Sequence, residues 1–157
     1  MNMRTLKGAS TGVLLGSCTL FLVVLFLDWH RSKIDVAGVV HVQAQDSGWA
    51  GWGLLAGAAA ATLVVLGLYR MRRGDGPTAT FGIVDLILAV TMLSATVSTV
   101  FGGGADVTAP AVGIEANAIL WPAWVGLGLA VVTLISAVLV ALPEVWQPGH
   151  RPTPTTA

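Results

Sequence analysis

WAGWGLLAGAAAATLVVLGLYRMRRGDGPTATFGIVDLILAVTMLSATVSTVF, residues 49–101, decides the fold. Two apolar runs, Trp49–Tyr69 and Thr80–Phe101, flank a connection that contains the short polar stretch Met71–Pro77. A membrane-spanning helix needs about 20 consecutive apolar residues, and each run supplies them. No water reaches the bilayer core, so such a run satisfies its backbone groups only as a helix. The short connection makes the two helices antiparallel neighbours, with Pro77 suited to the first turn of the second. Working outward, Gly8–Leu27 and Ile119–Leu142 qualify by the same rule. The expected fold is an all-α membrane protein, a four-helix transmembrane bundle over residues 1–142. Residues 143–157, with Pro143, Pro148, Pro152 and Pro154, read as a disordered tail.

Composition agrees. The 157 residues are 55% hydrophobic and only 10% charged, against about 25% charged in a soluble domain. This excludes a nucleic-acid-binding module, a disordered chain and a domain solvated all round. Net charge is zero, but the charges are sorted. Arg4, Lys7, Arg70, Arg72, Arg73 and Arg151 fall on one side of the expected membrane, and only Arg31 and Lys33 on the other. Asp28, Asp35, Asp46, Asp106 and Glu115 share that second side. The positive-inside rule then places both termini in the cytoplasm and the chain, multi-pass, in the plasma (inner) membrane. The stretch Leu15–Cys18 loosely resembles a lipoprotein cleavage box. However, the strongest apolar run follows Cys18, whereas a signal peptide's run precedes its cleavage site. The single cysteine excludes an internal disulfide.

Trp29, Trp49, Trp52, Trp121 and Trp124 at the outer level, and Trp146 at the inner one, read as interfacial anchors. Small residues drive packing between helices in lipid. The first span offers Gly8, Gly12 and Gly16, and the second Gly53, Gly57 and Ala61. The third offers Gly82, Asp85, Ala89, Met92, Thr96, Thr99 and Gly103, and the fourth Gly126, Ala130, Thr133, Ala137 and Ala141. These stripes suit contacts within the bundle or with another subunit. The outer loop Asp28–Gly48 contains Ile34–Gln45, whose β-branched residues predict an extended strand or small hairpin. The loop Gly102–Ala118 reads as Gly-rich and weakly structured.

Asp85 is the candidate intramembrane polar site, the one ionisable residue clearly inside a span. A charge at the bilayer centre costs about 2.5–3.5 kcal/mol on insertion scales, so such a residue invites a functional reading. It lies only one to two turns from its helix start, where the helix dipole favours an anion. Arg70, Arg72 and Arg73 are within reach, so a clamp of the second hairpin competes with a proton or cation site. The spans hold no histidine for haem and no paired cysteines for thiol chemistry. His30 and His41 share the outer loop with Asp28, Asp35 and Asp46, without the tight spacing of a metal motif. No catalytic residue, cofactor or metal site is assigned.

The order of features carries a resemblance. A basic N-terminus, a first span ending in Asp28-Trp29, a β-like loop and Ser47–Gly53 opening the second span are similar to small four-span bacterial membrane proteins of unassigned function. That group shares a tryptophan after span one and a Gly-Trp-x-Gly-Trp opening to span two. Gly51-Trp52 also partly resembles the Gly-Leu-Trp signature of claudin-type proteins, whose paired cysteines this shorter loop lacks. The expected role is non-enzymatic: an accessory or assembly subunit of a larger membrane complex. The rival is a small homo-oligomeric transporter or channel that uses Asp85.

Overall fold

A computed structural model describes residues 3–34, 42–73, 79–102 and 114–145. Along the chain these form helix α1 (Met3–Val24), strands β1 (Asp28–Ile34) and β2 (Val42–Ser47), helices α2 (Gly53–Arg73) and α3 (Ala79–Gly102), strand β3 (Ile114–Ile119) and helix α4 (Trp121–Val145). The helices pack in a ring: α1 against α2 and α4, and α3 against α2 and α4. Among the described residues, Gly53–Arg73, Gly82–Gly102 and Trp121–Ala141 are long and apolar enough to cross a membrane, while Ala9–Val24 is a shorter apolar helix. The first turns of α1 carry Arg4 and Lys7.

The interior is built largely from small residues. Ala56, Ala59, Ala60, Ala89, Ala95, Ala123, Ala130 and Ala137 are buried, and Phe21, Leu25, Leu63 and Met92 fill the space between them. Large apolar side chains such as Val23, Leu54, Ile83, Ile87 and Ile135 lie on the outside. This inversion of size suits a lipid solvent. Small residues let backbones approach closely, and outward-facing leucine and isoleucine cost nothing among acyl chains.

One end of the ring carries an antiparallel sheet in the order β2-β1-β3. The β-like segment expected in the first outer loop is present as a hairpin: β2 takes in Val42–Gln45 of the stretch Ile34–Gln45 and pairs with β1, which begins earlier at Asp28, while residues 35–41 lie outside the described residues. The second loop is not wholly irregular, since Ile114–Ile119 forms β3 and α4 begins at Trp121 rather than Ile119. A two-stranded hairpin is marginal alone, and β3 covers the second edge of β1. At the other end, α4 runs to Val145, past Pro143 where the tail was expected to begin. Residues 146–157, with Trp146 and the rest of the expected tail, lie outside the described residues.

The β1–β2 register steps from Asp28↔Ser47 to His30↔Asp46, which leaves Trp29 as the extra residue of a bulge. Bulges re-aim a side chain, and this one accompanies an indole buried in the bundle.

Candidate functional sites

At the end of the bundle away from the sheet, α2 and α3 are joined by an ion pair. Leu63 and Gly67 lie on the buried face of α2, and Arg70 follows at helical spacing on the same face. On α3 the residues Gly82, Asp85, Ala89, Met92, Thr96 and Thr99 are all buried, so Asp85 occupies the inner stripe. Arg70 Nη2 donates to Asp85 Oδ1 at 2.9 Å, and Nη1 donates to Oδ2. The side chains are 14% and 4% exposed. This is the bidentate fork of guanidinium on carboxylate, which adds direction to the attraction. Arg72 and Arg73 lie on the exposed side of α2, with the Arg73 guanidinium 5.1 Å from the centre of the Tyr69 ring. Of three arginines within reach of Asp85 in sequence, helix phase brings in the first.

Farther along the interior, buried hydroxyls are held by backbone. Thr96 donates to Met92 O at 2.7 Å and Thr99 to Ala95 O at 2.9 Å. Between α1 and α4, the hydroxyls of Ser17 and Thr133 lie 2.9 Å apart, with Cys18 Sγ 3.8 Å from Thr133 Oγ1. Interhelical hydroxyl contacts of this kind fix register in a bundle that the hydrophobic effect alone does not orient.

At the sheet end the central residue is Trp29. Its side chain is 0% exposed, and Nε1 donates to Val24 O, near the end of α1, at 3.0 Å. Phe21 meets it edge-on with ring centres 6.2 Å apart. Glycines flank it on two sides: a Cβ on Gly48 or on Gly126 would come within 2.5 Å of the indole. The Trp29 carbonyl accepts from Leu120 N at 2.8 Å, and Gly48 N donates to Leu27 O at 3.2 Å. The Ser47–Gly53 segment is therefore a packing device. Gly48 admits the indole, Gly51 turns the chain at φ +55°, and a Cβ on Gly53 would lie 1.6 Å from Gly48 O.

Beside this plug is a cavity of about 270 Å³ lined by His30, Asp46, Ala50, Gly51, Trp52, Thr99 and Gly102. His30 is buried, and its Nε2 donates a long bond to Val100 O, 3.4 Å. His30 and Asp46 are partners in the β1–β2 register, which puts an imidazole and an exposed carboxylate at one wall. Among the described residues no group of three or more His, Cys, Asp or Glu side chains comes together to hold a metal ion. Sequence spacing did not single out this pair, because strand register creates it. The alternation Ile114, Ala116, Ala118 against Glu115, Asn117 was the available signal for β3.

Two expectations need correction. Trp29 is not an interfacial anchor exposed to headgroups; the glycine slots draw its ring inside. Trp52, Trp121 and Trp124 are exposed, at 60%, 68% and 51%. Trp49 is half-buried over Gly57, where a Cβ would meet its ring at 2.3 Å. The second correction concerns the first-span stripe. Gly12 and Gly16 lie on the exposed side of α1 and a Cβ on either would meet nothing within 4 Å. The close approach expected of them within the bundle is not made among the described residues, because α1 turns Leu14, Ser17, Cys18 and Phe21 inward; the alternative contact, with another subunit, is untouched by this. In the second span Gly53 and Gly57 are buried and Ala61 half-buried; the side-chain environment of Gly8 lies outside the described residues. No model of a known protein family matches the chain, and no curated protein matches its sequence.

Proposed function

We propose that the chain is a non-enzymatic integral membrane protein that serves as an accessory or assembly subunit of a larger membrane complex. In this reading all four helices span the plasma membrane, with α1 completing the bundle. Both termini are cytoplasmic, and the sheet faces the other side. The arginines of α2 support that orientation through the positive-inside rule.

The observation that carries the reading is the Arg70–Asp85 pair. A transporter or channel needs an acid that can exchange a proton or a cation, whereas this acid is engaged on both oxygens. The hydroxyls of Thr96, Thr99 and Thr133 are likewise held on carbonyls of their own helices. Buried hydroxyls and a carboxylate held in this way suit a scaffold. The segments outside the helices are too short to fold as a separate soluble domain.

The test is crosslinking in membranes followed by affinity purification and mass spectrometry. A reproducible stoichiometric partner is expected. A solitary homo-oligomer that moves a solute after reconstitution, and stops when Asp85→Ala is introduced, overturns the proposal in favour of transport. Reporter fusions at the two termini, both reading as cytoplasmic, test the orientation.

A further inference from the structure

We propose that the exposed face of α2 at its arginine end is a binding site for one anionic phospholipid. The proposal rests on the membrane placement just argued. Val65, Leu68, Tyr69 and Arg72 recur at helical spacing and line a concavity of about 320 Å³ on the outside of the bundle. Val65 is 64%, Leu68 52% and Tyr69 48% exposed, so the bundle itself does not fill the groove. It runs from an apolar rail to a cationic rim along a helix that crosses the bilayer, which matches the polarity of a lipid from chain to headgroup.

Charge complementarity selects an anionic headgroup. Arg70 turns inward and is held by Asp85. Arg72 and Arg73 face outward, and among the described residues no carboxylate lies within 4 Å of either guanidinium. Arg73 is held over the Tyr69 ring, which places a second cation beside the same groove. A volume near 320 Å³ is at the small end of ligand sites, which span about 300–1,000 Å³. It accommodates a phosphate-bearing headgroup and the first methylenes, with the rest of the lipid remaining in the bilayer. Basic clusters at the cytoplasmic end of a spanning helix are the sites where anionic lipids gather.

The experiment uses the full chain. It is reconstituted into vesicles of phosphatidylglycerol and phosphatidylcholine, checked for resistance to alkaline extraction, and transferred to lipid-doped micelles. Native mass spectrometry then counts retained lipid. One phosphatidylglycerol retained in preference to phosphatidylcholine is expected. Arg72→Gln should weaken its retention about fivefold and Arg72→Gln with Arg73→Gln about thirtyfold. Leu68→Trp, which fills the groove and leaves both arginines, should weaken it as well. All these positions are exposed, so the variants keep the bundle. Equal retention of both lipids, or retention untouched by Leu68→Trp, overturns the site while the membrane reading stands. A chain released by alkaline extraction overturns both.

Discussion

The two ends of the bundle are closed by opposite kinds of interaction. At the arginine end a charged fork joins α2 to α3. At the sheet end a large apolar ring is fitted between Gly48 and Gly126, while hydrogen bonds tie the sheet to the helix ends. The first closure is directional and depends on both partners. Removing one leaves a buried charge, whereas removing both leaves only a volume to fill. The second depends on volume and tolerates no added methyl in its slots. The comparison shows how a helix ring with an alanine-rich interior acquires a fixed geometry: charge specifies one end and shape the other.

The sharpest way to break this contrast is to change one partner of the ion pair. Arg70→Gln or Asp85→Asn should each cost about 3–5 kcal/mol, while Arg70→Met with Asp85→Leu together should lie close to the parent. Denaturant titration in mixed micelles measures all three. Equal losses for single and double variants would show that volume governs this end too. At the sheet end, Trp29→Ala should lose a comparable 3–5 kcal/mol, and here no second change at a charged site should restore it. Gly126→Ala should cost about 1–3 kcal/mol by overpacking, read as a lowered melting temperature, whereas a neutral result would show that the indole moves freely in its slot. Between the ends, Thr133→Val removes the contact with Ser17 and should cost about 0.6 kcal/mol, the average for hydrogen bonds between membrane helices. The smallest effect belongs to Gly12→Ala, which meets open space and should fall within about 0.5 kcal/mol. A loss of a purified oligomer in that variant would reveal a second copy packed on α1.

Much of this was legible before the fold. Hydropathy marks the apolar runs because lipid demands them, and among the described residues three of the resulting helices are long and apolar enough to cross a membrane. Spacing at three and four residues names the inward faces of α3 and α4, since small residues must line a close helix contact. Asp85 stands out as an acid in an apolar run, and its partner was narrowed to three neighbouring arginines. The same spacing could not choose between the bundle and another subunit for Gly12 and Gly16, because a glycine stripe reads alike whichever surface it meets. Trp29 was misjudged because an amphipathic ring beside a span end suits either an interface or a slot.

The amino-acid sequence by itself determined that this chain pairs long apolar helices with a sorted set of charges, because hydropathy and charge are summed locally along the chain. Only the tertiary structure decided that Arg70 takes Asp85 while Arg72 and Arg73 face outward. It alone brought Gly126 to the ring of Trp29, joined β3 to β1, and placed His30 beside Asp46. Those choices depend on helix phase and strand register between segments far apart in the chain, and neither quantity is written in any one of them.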